Sequence, residues 1–277
     1  MPEAVDLSRN WDEAAAGWTK WWPIFEQAAQ VVSDRLIALA GVQPGWRVLD
    51  IATGIGEPAV SAARKVGPNG KVLAVDHSTG MLEAARRRAA QLGLTNIEFR
   101  HIDAETIALP ERDFNAILCR WGLMFIPDLT GALGRMRALL ADGGKLAAAV
   151  WSTPDKVPMI SLAGESARKI ANLPPPPPGS PDPCRLSDRV ALERSFKDAG
   201  FRDFVCEPLN ITYEFKSAED FAQFRYDVAT PFRTMVDKLD AATRKRVMDA
   251  VISEASRFVK GGVLRLDNET FCVAARK

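Results

Sequence analysis

The stretch V-L-D-I-A-T-G-I-G-E-P-A, residues 48–59, runs apolar into an acid and then breaks on two glycines one residue apart. An apolar run ending in a Gly-rich turn, followed by the helical pattern P-A-V-S-A-A-R-K-V, reads as a buried strand turning into a crossover helix. The same unit recurs downstream. Strands are expected at W-R-V-L-D-I, K-V-L-A-V-D, I-E-F-R-H-I, F-N-A-I-L-C and K-L-A-A-A-V-W. Between them T-G-M-L-E-A-A-R-R-R-A-A-Q-L and L-T-G-A-L-G-R-M-R-A-L-L carry apolar residues at helical spacing. Turn signals at G-P-N-G (67–70), L-G-L-T-N (92–96) and A-D-G-G (141–144) punctuate the units. Alternation of this kind predicts an α/β fold with a parallel sheet between helices.

Gly54, Gly56 and Ala59 satisfy G-x-G-x-x-A, and Asp76 ends the next strand, so a nicotinamide-binding loop has to be considered. Against it stands Asp50, which closes the strand just before the loop. A fixed anion there repels a diphosphate and favours a cationic ligand. Asp76 sits where a carboxylate accepts two ribose hydroxyls, which any adenosine ligand provides.

Composition excludes several classes. Lys plus Arg number 36 against 35 Asp plus Glu, so no bulk field draws the chain to nucleic acid. No window approaches the roughly 18 apolar residues of a bilayer span, and M-P-E-A-V-D-L-S-R-N lacks the parts of a signal peptide. A cytoplasmic chain is expected. Cys119, Cys184, Cys206 and Cys272 show neither C-x-x-C nor Cys/His ligand spacing, so free thiols and no metal are expected. Outside the repeating units, residues 11–40 read as helices dense in tryptophan, with Trp11, Trp18, Trp21, Trp22 and Phe25. A helix and the run P-P-P-P-P-G-S-P-D-P (174–183), read as a stiff connector, follow Trp151. From Leu186 come a helix ending at A-G-F, a strand around C-E-P-L-N-I-T-Y-E-F, helices over about 217–260 and a last strand E-T-F-C-V-A-A.

V-L-D-I-A-T-G-I-G, A-V-D-H-S-T-G-M-L-E-A-A-R, H-I-D-A-E-T-I-A-L-P and L-L-A-D-G-G-K-L, in that order, resemble the class I S-adenosylmethionine-dependent methyltransferases, nearest the ubiquinone and menaquinone C-methyltransferase branch (methyltransferase types 11 and 25). The match covers about residues 40–152. The family's first loop glycine is Ala52 here, which tightens the turn. The resemblance implies a Rossmann-like, doubly wound, mostly parallel seven-stranded sheet with an N-terminal helical lid and a helical cap before the last strand. It implies one domain over 1–277: a lid at 1–40, a cofactor core at 41–152, a Pro-rich connector at 153–185 and a C-terminal part at 186–277.

The roles it implies follow residue by residue. Ala52, Gly54 and Gly56 line the methionine part of S-adenosyl-L-methionine, with Asp50 holding the loop and opposing the sulfonium. Asp76 takes the ribose hydroxyls, and His77 faces the adenosine side. Asp103 meets the adenine amino group, the Ala104 backbone a ring nitrogen, Ile55 and Met81 the adenine faces, and the Cys119 carbonyl the cofactor's amino group. Its thiol is expected to be inert. His77 and His101 are otherwise read as structural, and no catalytic base is singled out.

Methyl transfer from a sulfonium chiefly needs alignment and dehydration. Acceptor contacts are expected from Trp18, Trp21 and Trp22, from R-W-G-L-M-F-I-P (Arg120, Trp121, Met124, Phe125), from Trp151, and from Phe224, Arg225, Tyr226, Phe232 and Arg233. The aromatics suit a planar or prenyl-like acceptor and the arginines an anionic group of it. The expected activity is methyl transfer to a small, largely apolar or aromatic molecule, at carbon or oxygen ahead of nitrogen or sulfur. A nicotinamide oxidoreductase and a methyltransferase-like protein that keeps the cofactor as scaffold remain open. A monomer or homodimer is expected, with no nucleic-acid partner.

Overall fold

A computed structural model describes residues 7–176 and 180–277 of the chain. In chain order the strands are β1 (Arg47–Ile51), β2 (Lys71–Asp76), β3 (Ile97–His101), β4 (Phe114–Arg120), β5 (Leu140–Trp151), β6 (Arg202–Phe215), β7 (Val259–Lys260) and β8 (Val263–Arg276). The helices are α1 (Leu7–Ala40), α2 (Ala59–Val66), α3 (Thr79–Gln91), α4 (Leu129–Leu139), α5 (Pro158–Ala171), α6 (Arg189–Asp198), α7 (Ala218–Val228), α8 (Thr230–Asp237) and α9 (Ala241–Ser256).

The sheet runs β3-β2-β1-β4-β5-β8-β6, and the short β7 pairs with β8. β1, β2, β3, β4 and β5 pair in parallel, and β8 runs antiparallel to β5. The expected doubly wound, mostly parallel sheet is therefore present, with a two-residue eighth strand added. Residue type explains strand position. β1 and β2 are buried on both faces after their first residue, as continuous apolar runs of a central parallel strand must be. I-E-F-R-H carries charge at intervals and forms the half-exposed edge β3.

The chain divides into two compact units. One, the sheet unit, comprises Gln30–Ser152, Asp182–Leu209 and Thr270–Lys277. Its core is built from side chains such as Leu49, Ile51, Leu82, Ile117 and Leu118, all fully buried. The other, the helical unit, comprises Met1–Ala29, Thr153–Pro181 and Asn210–Glu269. Aromatic rings fill its interior: Trp21 lies 5.8 Å and Phe215 5.2 Å from Phe224, and Trp18 and Tyr213 lie 4.8 and 5.3 Å from Phe25.

Three expectations are revised. Residues 11–40 belong to one helix of 34 residues rather than several, which continues through Pro23. A-D-G-G is not a turn closing a helix but part of β5. Leu140 pairs with Phe114 and Lys145 with Ala116, so the extra residues are absorbed as a bulge with Gly143 at φ +77°. Cys206 lies within β6 rather than at its start. The centre of the Pro run, 177–179, lies outside the described residues, as does the start of the chain, 1–6. Among the described residues, no helix is long and apolar enough to cross a membrane and no group of His, Cys, Asp or Glu is arranged to hold a metal.

Candidate cofactor site

The carboxyl ends of β1, β2 and β4 are held side by side by strand register: Ile51 lies opposite Val75 and Asp50 opposite Leu118. In open α/β sheets this is the edge at which ligands bind. The chain leaves β1 through Ala52 at φ +53°, Gly54 at φ +55° and Gly56 at φ +105°. The left-handed region costs an L side chain about 1–2 kcal/mol, so Ala52 is strained where glycine would not be. Each glycine has its own reason. A Cβ at Gly54 would meet nothing within 4 Å, so that turn faces open space. A Cβ at Gly56 would lie 3.4 Å from the Ala85 Cβ, because the loop packs on α3.

Asp76, at the tip of β2, is 6% exposed, and both of its oxygens are engaged from below. Oδ2 accepts the Gly54 N–H at 2.8 Å and Oδ1 the Ser78 N–H at 2.9 Å. Each oxygen retains a lone pair for a further donor. Burial raises its pKa, while these two N–H groups and the neighbouring His77 oppose the rise. Asp76 does not cap the following helix; the Ser78 hydroxyl does, accepting from Met81 N at 3.1 Å.

Asp50 holds the loop that follows β1. It is fully buried, and its Oδ2 accepts the Ala59 N–H at 3.0 Å, so it fixes the start of α2. Burial pushes its carboxyl up to about 8; the Glu57 charge adds to the shift, and the Thr53 hydroxyl and the Arg120 guanidinium oppose it. A carboxyl shifted this way keeps its proton to higher pH than the exposed acid that residue type alone suggests. A sequence shows that an acid ends a strand, not that water cannot reach it. Asp50 Oδ1, Thr53 Oγ1 and His77 Nε2 are sealed from solvent without a well-formed hydrogen bond, leaving unused polar capacity around the β1 and β2 tips.

Cys119 is buried and its thiol is pushed up to about 12, first by burial, which makes it inert as expected. Ile55 and Met81 are buried, at 6% and 3%. Ile102 N donates to the Asp76 carbonyl at 3.0 Å and so sets Asp103 beside the β2 tip; Asp103 is exposed and accepts from Glu105 N at 2.8 Å, with Ala104 buried after it. The His101 imidazole bonds the His77 carbonyl at 2.9 Å, a structural role.

Beyond β4 lies Trp121, again left-handed at φ +57°. Its ring stacks on Trp151, with centroids 4.3 Å apart and planes 5° apart, and its Nε1 donates to Thr270 Oγ1 at 3.0 Å. The Thr270 hydroxyl in turn donates to the Val150 carbonyl at 2.8 Å. Arg120 is 7% exposed; it donates to Ser33 Oγ at 2.9 Å and lies 5.2 Å from the Trp121 ring. Met124 is buried and Phe125 half-buried.

The remaining expected acceptor residues belong to the helical unit. Trp22 tilts against Phe25 at 6.3 Å, and Trp21 Nε1 and Lys20 each donate to Asp227 at 2.7 Å. The Tyr226 hydroxyl donates to Asp237 at 2.8 Å, Arg233 pairs with Glu13, and Phe232 is buried.

Two features escaped the sequence reading. A Cβ on Gly122 would lie 2.6 Å from the Ala52 Cβ and 2.8 Å from Cys119 Sγ, so the loops leaving β1 and β4 touch, and only glycine fits. Glu57, its side chain wholly buried, accepts from Arg88 at 3.0 Å and from Ser61 N at 3.2 Å, clamping the loop to α3. The contacts that matter are not local: Arg88 lies 31 residues from Glu57, and Ala52 sits on a different loop from Gly122, so only the fold brings them together.

Residues 48–144 match the family model described as a methyltransferase domain. The similarity is to a methyltransferase domain and is confined to this stretch, about a third of the chain. An aklanonic acid methyltransferase of Streptomyces sp. (strain C5) is 41% identical over 113 residues, 41% of this chain and 51% of that protein. A ubiquinone/menaquinone biosynthesis C-methyltransferase of Teredinibacter turnerae is 37% identical over 119 residues, 43% of this chain and 48% of that protein. The chain thus matches about half the length of these curated relatives. Among solved structures, phosphoethanolamine N-methyltransferase 2 of Haemonchus contortus, in complex with S-adenosyl-L-methionine, superposes with a TM-score of 0.62 at 19% identity, covering 99% of this chain and 60% of that one. The methyltransferase domain fold thereby accounts for the strand order and for the position of the Gly54 loop.

Proposed function

We propose that the chain transfers a methyl group from S-adenosylmethionine to a small, largely apolar or aromatic molecule, at carbon or oxygen. One observation carries the reading: a buried carboxylate at the β2 tip, Asp76, is held by the backbone of the very loop, at Gly54, that opens toward free space. That arrangement suits a ribose diol, which gives two hydroxyl donors to one carboxylate. The unused polar atoms of Asp50, Thr53 and His77 fit a polar nucleoside-bearing group. When bound, S-adenosylmethionine supplies an electrophilic methyl group on a positively charged sulfur.

The chain's own residues supply place and environment. Ala52, Gly54 and Gly56 take the donor's amino-acid part in this reading, and the Cys119 carbonyl accepts from its ammonium. Ile55 and Met81 offer apolar faces to adenine, Asp103 an acceptor for its amino group and the Ala104 backbone a donor to its ring. Asp50, its carboxyl shifted up by burial, is a group that a nearby cation drives toward its ionised form. The Trp121–Trp151 stack presents a rigid aromatic surface whose tilt is fixed through Thr270, suited to a flat acceptor and to excluding water. The relatives are named for small organic acceptors, aklanonic acid and the ubiquinone/menaquinone series, and we extend that class, not either compound, to this chain.

The test is direct. A metabolite extract incubated with the protein and trideuteromethyl donor should yield a small molecule heavier by about 17 mass units, one CD3 replacing hydrogen. Binding of S-adenosylhomocysteine with no labelled product from any extract or quinone-like acceptor would overturn methyl transfer.

A further inference from the structure

Among the described residues of the helical unit, Arg225 is a half-buried cation with no anion against it. Arg225, on α7, has a single hydrogen bond, from Nη2 to the Ile160 carbonyl at a long 3.5 Å, and its Nε is sealed from solvent with no partner. The carboxylates around it are already taken. Asp227 accepts from Lys20, Trp21 and Gln223, Glu13 from Arg9 and Arg233, and Asp237 from Tyr226, with Arg244 forming an ion pair with it at 3.7 Å. A second donor in the same unit is stranded: Trp18 Nε1 is buried without an acceptor. The ring of Trp18 lies 6.4 Å from Phe224, the residue before Arg225. α1 and α7 touch here closely enough that a Cβ on Gly17 would fall 2.3 Å from the Asp227 carbonyl oxygen.

Burying a guanidinium without a counter-charge is costly, and proteins otherwise pair or coordinate such a group. Burial also lowers the Arg225 pKa to about 10, the expected sign for a cation lacking an anion. By contrast, Arg233 on α8 is engaged by Glu13 and the Asp227 carbonyl. In the same unit the rings of Trp18, Trp21 and Phe215 pack on Phe224, the residue before Arg225, at 6.4, 5.8 and 5.2 Å.

We propose that Arg225 is the receptor for the carboxylate of a small aromatic acid that binds in the helical unit. This goes beyond methyl transfer, since it names an anionic group on a ligand and the residue that takes it. Arg225 then acts as a binding residue, completing with the ligand the ion pair that the protein leaves half built.

The experiment compares 2-naphthoate with 2-naphthamide by calorimetry, on the wild type and on Arg225→Met, and records the melting temperature of both proteins without ligand. The wild type should prefer the acid by about ten-fold or more, the scale of a charge-assisted bond. In Arg225→Met that preference should fall to about one, and the ligand-free variant should melt at or above the wild type, because a buried unpaired charge has been replaced by an apolar chain. Equal affinity of the wild type for acid and amide, including no binding of either, would overturn the proposal. So would a preference that survives in Arg225→Met, or a variant that melts well below the wild type or does not fold, since the guanidinium would then be serving the protein's own structure. S-adenosylhomocysteine titrated into the wild type in parallel reports on the cofactor reading separately.

Discussion

Two half-buried arginines, Arg88 in the sheet unit and Arg225 in the helical unit, show how differently the two regions treat charge. Arg88 meets the wholly buried Glu57 at 3.0 Å, and Asp76 nearby is met by two backbone N–H groups. Arg225 meets only a distant carbonyl. In the first region Glu57 and Asp76 find their partners within the protein, and Gly54 faces open space. The second is incomplete in itself. A site that binds a ligand common to a whole family can be built in advance, whereas a site for a particular ligand leaves its decisive contact to that ligand.

The contrast can be broken by substituting the two arginines in turn. Arg88→Met should destabilise the protein by about 3–5 kcal/mol in urea unfolding, because it strands the Glu57 carboxylate in the interior. If it costs no more than Arg225→Met, the distinction between satisfied and waiting charge fails. Next in size is Gly122→Ala. Its Cβ would overlap Ala52 and Cys119, so a loss of about 1–3 kcal/mol is expected, together with weaker S-adenosylhomocysteine binding as the β1 loop is pushed aside. Unchanged stability and affinity would show that the two loops are free to part.

Asp50 sharpens the comparison through pH. Its folded pKa, about 8, lies above its ordinary value of 3.8, so the folded state holds the proton more tightly. Stability should therefore fall as pH rises from about 4 to 8, by at most about 1.4 kcal/mol per pH unit from this group. Asp50→Asn should flatten that fall, although Asp76, shifted in the same direction, leaves part of it. An unaltered slope between pH 5 and 7.5 would mean that Asp50 is ionised in the folded protein. The smallest effect is expected from Ala52→Gly. Relief of the left-handed φ is offset by the extra freedom of glycine in the unfolded chain, so stability should change by less than about 1 kcal/mol.

Much of the sheet unit was legible because its signals are local. V-L-D-I-A-T-G-I-G states a strand, a turn and a helix within a dozen residues, and Asp76 can be placed because a strand visibly ends there. What could not be read depends on contacts across the fold. Arg120 looks like a substrate-facing cation in R-W-G-L-M-F, and nothing there tells of its bond to Ser33, 87 residues away. The Trp121–Trp151 stack was foreseeable only as two aromatics at neighbouring strand ends, not as parallel planes pinned by Thr270. The pKa of Asp50 could not be read for a further reason: residue type sets an ordinary value, and burial resets it. A-D-G-G has turn composition in any context, and only pairing with β4 makes it a bulge.

The proposal that Asp76 takes the ribose of the methyl donor needs a test on the ligand side, because removing the Asp76 side chain would also release the Gly54 loop. Calorimetry should compare S-adenosylhomocysteine with its 2′,3′-dideoxy analogue on the intact wild type, with Asp76→Asn as the second arm. The prediction is a preference for the hydroxyl-bearing compound of about 30-fold or more in the wild type, the loss of two charge-assisted bonds, and a much smaller one in Asp76→Asn. Equal binding of the two compounds by the wild type would contradict it.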